Sequence, residues 1–267
     1  MTVHVRRSGA VLVIELHAPE SLNALTIDDL LELRRHLADA QDDDTVNAIV
    51  LTGSGDKAFC TGANLKATMP PALPFAAGIL SSRGKEAGNG GYTRLIDLSD
   101  LRLWKPLIAS INGYCLGGGL ELALQCDIRI ASTTASFALP EVKVASIPAV
   151  GGVQYLLRAI PAVHAMKLAL TGERIDAEHA LRIGLVSDLY ASDALQDQAT
   201  SLAQRIASNG PLAVQMVKKL ALETAHLAPE QFIALSNLAW GTLRDSEDRI
   251  EGRRAFAEKR PPRYRGR

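Results

Sequence analysis

The sequence predicts an α/β fold, with helices covering a sheet, that gives way to a helical C-terminal part. Three observations carry this expectation. Strand-like apolar segments recur at residues 10–16, 48–51, 107–111 and 128–131, each separated from the last by helix or loop. Thr26 and Asp29 stand as a cap before Ile27, Leu30, Leu31, Leu33 and Leu37, which repeat with a helical period. From about Ser192 helical segments follow one another, with Ser192 at a start, Gly210 and Pro211 at a break, Pro229 at another start and a last helix over residues 247–258. Ala48-Ile49-Val50-Leu51 is apolar throughout, the pattern of a strand buried on both faces.

Composition sets the frame for these elements. The chain has 267 residues, 47% hydrophobic and 22% charged, enough to bury one large core, with or without an appended piece. Lys+Arg and Asp+Glu balance at 29 each, which gives no global argument for a nucleic-acid or membrane partner. Locally, seven basic residues from Arg253 to Arg267 face one acid, Glu258; such a tail solvates a terminus or holds a phosphorylated ligand. Cys60, Cys115 and Cys126 form no C-x-x-C pair and no signal peptide precedes them, so reduced thiols and a cytoplasmic location are expected. His4, His17, His36, His164, His179 and His226 show no metal-ligand spacing and are read as surface or packing residues, with no metal site. No run of about 18 uncharged apolar residues is present to span a bilayer.

Between residues 68 and 91 stand Pro70, Pro71 and Pro74 with Gly78, Gly84, Gly88, Gly90 and Gly91, directly after the turn Cys60-Thr61-Gly62-Ala63-Asn64. A loop this long reads as a substrate-side flap or as a tolerated surface insertion. Gly53-Ser54-Gly55-Asp56-Lys57-Ala58 after a strand imitates a dinucleotide fingerprint, but Phe59-Cys60-Thr61-Gly62 interrupts the helix such a site requires.

The chemistry-bearing stretch is Ile111-Asn112-Gly113-Tyr114-Cys115-Leu116-Gly117-Gly118-Gly119-Leu120-Glu121. Three consecutive glycines let bare backbone N–H groups approach a ligand, and a helix N-terminus favours a developing oxyanion. Phe137-Ala138-Leu139-Pro140-Glu141 supplies a second carboxylate, 141 − 121 = 20 positions on. An acid/base pair beside an oxyanion site is the chemistry of a polarised carbonyl.

These segments, with Leu22-Asn23-Ala24-Leu25, Ala58-Phe59-Cys60-Thr61-Gly62-Ala63-Asn64-Leu65-Lys66, residues 148–152 and the closing Glu251-Gly252 to Lys259-Arg260, stand in the order of the landmarks of one family. Over nearly its whole length the chain resembles the enoyl-CoA hydratase/isomerase (crotonase) family. That resemblance implies a spiral of repeated ββα units at residues 1–195 carrying an acyl-CoA site, and a helical oligomerisation region at 196–267 that builds a homotrimer or homohexamer. It implies that the N–H groups of Ala63 and Gly118 hold the thioester oxygen and that Glu121 and Glu141 flank a water above the C2–C3 double bond. Glu121 chiefly polarises that water and Glu141 chiefly exchanges a proton at C2, its pKa raised by the apolar neighbours Phe137, Leu139 and Val142.

Coenzyme A, in this resemblance, passes over Leu22, Asn64, Leu65 and Lys66 and, from a neighbouring subunit, Phe256 and Lys259, while Gly151 and Gly152 open the helix beneath the acyl site. No cofactor is implied beyond the coenzyme A of the substrate. The chain departs from its relatives at Glu20, where many carry a base, at Asn64, where an aspartate is common, and at Ala149, where many hydratases have glycine. Isomerases of the family commonly lack one of the two glutamates, so their presence favours hydration. The alternatives are a double-bond isomerase, dehydratase or lyase, or a non-catalytic RNA-binding relative, for which the basic tail is the only support.

Overall fold

The computed structural model of the protein describes residues 3–64, 80–82, 85, 87 and 92–267. Most of the Pro/Gly segment at 68–91, and with it Leu65 and Lys66, lies outside the described residues.

Two sheets organise the chain. The larger has six strands in the order β1 (Val3–Ser8), β2 (Val11–Leu16), β3 (Ala48–Gly53), β5 (Leu107–Ile111), β7 (Ile128–Ser132) and β10 (Asp188–Tyr190). Only β1 and β2 are antiparallel within it. The smaller sheet orders β4 (Ala58–Cys60), β6 (Tyr114–Leu116), β8 (Ser136–Ala138) and β9 (Ile175–Asp176), the first three mutually parallel. From β3 to β8 the strands alternate between the large and the small sheet: β3 then β4, β5 then β6, β7 then β8. Helices or turns close each step, which is the repeated ββα spiral expected from the sequence.

β3 and β5 are buried along their whole length because both faces of the large sheet are covered. On one face Leu12, Ile14, Leu16, Ile49, Leu51 and Leu107 pack with Leu30, Leu33 and Leu37 of α1 (Ile27–Asp42). On the other, Val11, Val13, Val50 and Ile108 lie under Leu195, Ala199 and Ala203 of α6 (Leu195–Ala207). Helix α6, which begins at the proposed 195/196 division, is therefore a wall of the sheet.

Side-chain caps and prolines set several helix starts. Thr26 and Asp29 form the expected reciprocal box at α1: the Asp29 N–H donates to Thr26 Oγ1 and the Thr26 N–H to Asp29 Oδ2. Pro211 and Pro229 open α7 (Pro211–Thr224) and α8 (Pro229–Arg244), with α9 (Glu247–Ala257) following. Ser192 departs from expectation. The residue before α6 is Ala194, without a side-chain cap, and the Ser192 hydroxyl instead pairs with that of Ser132 at 2.7 Å. Helix α7 docks on the body through Lys218, whose ammonium lies 2.7 Å from the Asp127 carboxylate and 3.0 Å from the Lys105 carbonyl.

The dinucleotide-like stretch is a connection between strands: residues 54–57 turn from β3 into β4, with no helix after them. Asn23 and Asn112 brace that turn. Asn23 Nδ2 donates to the carbonyls of Ser54 and Ala58, and Asn112 Nδ2 to those of Gly55 and Ala58.

Candidate active site

Three chain segments leave the small sheet at the same, C-terminal, end of its parallel strands. Pairing of β4 with β6 and of β6 with β8 brings Cys60 beside Cys115 and Leu116 beside Ala138, so the residues that follow them are neighbours: Gly62 and Ala63, Gly117 and Gly118, Pro140 and Glu141.

The first amide is that of Ala63. Ala63 forms an isolated parallel bridge with Leu25, in which Leu25 N–H donates to Gly62 O at 2.8 Å and Asn64 N–H to Leu25 O at 2.9 Å. Those bonds use the groups flanking Ala63, so its own N–H points away from Leu25. The second amide, of Gly118, opens the short helix α2 (Gly118–Leu124). A Cβ built on Gly62 would lie 2.9 Å from the Gly118 nitrogen, and one built on Gly118 4.0 Å from the Ala63 nitrogen. Among the described residues neither N–H has an acceptor. Gly117, before α2, has φ 54 and ψ −128, a conformation reserved for glycine, and a Cβ there would stand 3.0 Å from Glu141 Oε1.

Glu121 lies in the first turn of α2 and is 3% exposed. Its Oε1 accepts hydrogen bonds from the N–H groups of Val150, at 2.8 Å, and Gly152, at 3.0 Å. Gly152 begins α3 (Gly152–Ala159), and a Cβ on it would meet both Glu121 Oε1 and Pro148 Cβ at 2.8 Å. Burial pushes the Glu121 carboxyl up to about 7, against the two amide bonds that pull it down, and the nearby Glu141 charge raises it further. Glu141, in the single-turn helix at Pro140–Val144, is raised in the same direction by burial, as expected from its apolar neighbours, with its own backbone N–H opposing. Its Oε2 is buried without a hydrogen-bond partner among the described residues. The structure thus sets two carboxyls of raised pKa close enough to sense each other, beside two unengaged amides.

The remaining expected residues divide. Leu22, held at φ 56, accepts at its carbonyl a hydrogen bond from Thr61 Oγ1 at 3.2 Å, so it meets the 61–64 segment. Asn64 joins it through Leu25. Phe256 and Lys259 sit at the end of α9; Phe256 lines a cavity with Trp240, Gly252 and Tyr264, and no contact of the described residues links either to the carboxyls. Sequence reasoning missed the Val150 and Gly152 amides as the holders of Glu121. The signal was present in Gly151-Gly152, a helix start without a capping side chain, whose free N–H groups need an acceptor. Cys60, Cys115 and Cys126 are unpaired and buried; burial pushes the Cys60 and Cys126 thiols up to about 12, which makes them packing residues and not nucleophiles.

Amides and carboxyls so arranged suit the class of enzyme that works by acid/base chemistry beside a polarised carbonyl, and the comparisons show which family the chain belongs to. The model of the enoyl-CoA hydratase/isomerase family matches residues 6–267, and the chain belongs to that family. It is 46% identical over 266 residues to the (E)-benzylidenesuccinyl-CoA hydratase of Thauera aromatica, covering 100% of both chains, and 37% identical to the carnitinyl-CoA dehydratase of Citrobacter koseri, covering 100% of this chain and 99% of the relative. The enoyl-CoA hydratase structure from Bacillus anthracis superposes with a TM-score of 0.89 at 35% identity, with both chains fully covered. The fold is that of the crotonases, and the protein is an acyl-CoA hydratase or dehydratase, a hydro-lyase. Among the described residues no helix is long and apolar enough to cross a membrane.

Proposed function

We propose that the protein hydrates the C2–C3 double bond of a 2-enoyl-CoA thioester, reversibly, through an enolate whose oxygen lies between the N–H groups of Ala63 and Gly118. The observation that carries this is the pair of raised carboxyls, Glu121 and Glu141, set beside those amides. Water addition needs a base for the water that attacks C3 and an acid for C2, while charge collects on the thioester oxygen. Glu121, pinned through Oε1 by two backbone donors, orients and polarises the water. Glu141, whose Oε2 has no hydrogen-bond partner among the described residues, exchanges the proton at C2. A carboxyl held near 7 exists in both protonation states at neutral pH, as an acid/base catalyst requires. No step is routed through a metal or a cofactor beyond the coenzyme A of the substrate.

For the acyl group, the nearness of the Thauera aromatica relative puts first a 2-enoyl thioester bearing an aryl group and a second carboxylate. Leu22 and Asn64 are proposed to contact coenzyme A within one subunit, and Phe256 and Lys259 to do so from a neighbour in a trimer or hexamer. The test is a panel of acyl-CoA thioesters, straight-chain enoyl, benzylidenesuccinyl and carnitinyl, followed by conjugated absorbance, lost on hydration of the first two and gained on dehydration of the third, and by product identity. A 3-hydroxyacyl product from an enoyl substrate supports the reading. A shifted double bond with no water incorporated overturns it.

A further inference from the structure

His4, Glu15 and His17 form a cluster that the hydratase chemistry leaves unused. Register pairs His4 directly with Glu15 across the β1–β2 ladder, and His17 stands two residues beyond Glu15, so the pleat sends all three side chains to one face of the hairpin. On that face α6 covers Val11 and Val13, whereas His4 and His17 remain exposed. One ligand atom from each of the three lies within 4.8 Å of the other two. His17 Nδ1 and Glu15 Oε1 already stand 3.3 Å apart. That is the ligand-to-ligand edge of a tetrahedral site with bonds of about 2.0–2.1 Å. The His4 and His17 rings stack with centroids 4.1 Å apart, so rotation of two exposed imidazoles closes the set.

We propose that this cluster binds one divalent transition-metal ion of the zinc class through two imidazoles and a carboxylate, with water completing the coordination. The donor set selects the ion: borderline nitrogen ligands suit Zn²⁺, Co²⁺ and Ni²⁺, whereas Ca²⁺ and Mg²⁺ require shells of oxygen. Ligands come from both strands of the hairpin and β1 is the edge strand of its sheet, so the ion acts as a clip that holds β1 on β2 in the folded chain only. The simpler description, an exposed His17–Glu15 ion pair beside a histidine stack, accounts for the same contacts without an ion and foresees no response to metal.

The experiment uses the full chain without an affinity tag, stripped by a chelator. Titration with Zn²⁺ by calorimetry is expected to show one saturable site per chain and a rise in Tm, and Co²⁺ is expected to give visible ligand-field bands. His4→Ala, Glu15→Gln and His17→Ala are each expected to weaken Zn²⁺ binding at least about tenfold, with acyl-CoA turnover unchanged as evidence that the fold and the hydratase site are intact. Two results overturn the proposal: no saturable Zn²⁺ or Co²⁺ signal on the wild-type chain, or binding that survives in the His4→Ala/His17→Ala double variant.

Discussion

Glu121 shows how a single side chain joins stability to chemistry. Its carboxyl titrates near 4.3 in an unfolded chain but is pushed up to about 7 in the fold, chiefly by burial, so the native state binds the proton more tightly. The stability this proton contributes is fully present below the unfolded pKa and is lost as pH rises through about 7. Glu121→Gln carries no such proton, and its carbonyl still accepts from Val150 and Gly152. Urea unfolding at pH 5 and pH 8 is therefore expected to show the Gln variant gaining on wild type at the higher pH, by about 3 kcal/mol from a shift of this size. Parallel pH profiles for the two proteins would show that the carboxyl is not held protonated. The same substitution, and Glu141→Gln, are expected to lower hydration by orders of magnitude while acyl-CoA still binds, because each removes a proton-transfer group and not a binding contact. Turnover near wild type in either variant refutes the roles assigned.

Between elements, the decisive fact is that β4, β6 and β8 end side by side, so that three loops far apart in sequence deliver two amides and one carboxyl to one place. Gly62 stands where those loops converge, with φ 89 and a Cβ position 2.9 Å from the Gly118 nitrogen. Gly62→Ala is expected to strain the turn and place a methyl against the second amide. Loss of one oxyanion donor costs about 10²–10³ in kcat, and steady-state kinetics should show a fall of that order with modest change in KM. An unaltered kcat would mean that the two amides do not act together. Much of this scale was legible beforehand. Thr26 with Asp29, Gly210 with Pro211, and Pro229 mark helix starts by local chemistry, and Glu121 follows its glycines at a fixed spacing. Strands β4, β6 and β8 were not legible, because three residues carry no periodicity. The tie from the Val150 and Gly152 amides to Glu121, and the meeting of His4 with His17, depend on loop closure and strand register, which no local pattern encodes.

At the scale of the whole molecule, the C-terminal helices leave apolar surface in water. Phe256 is 87% exposed, Leu238 69% and Trp240 59%, and Ile233 on α8 and Val217 on α7 also stand open. Uncovered side chains of this size mark a candidate interaction face. Phe256 on α9 and Lys259 just after it have no contact among the described residues with the carboxyl pair of their own chain. Both facts are met if a second copy covers the face and receives those two residues at its own acyl-CoA site. Sedimentation equilibrium is then expected to find three or six copies together, and Leu238→Glu with Trp240→Glu to release smaller species. Because this double variant leaves Glu121, Glu141 and both amides in place, it should raise KM for acyl-CoA more than it lowers kcat, as the coenzyme A end loses its contacts from the neighbour. A wild-type chain that sediments as a monomer while turning over substrate at full rate would show that each site is complete within one subunit.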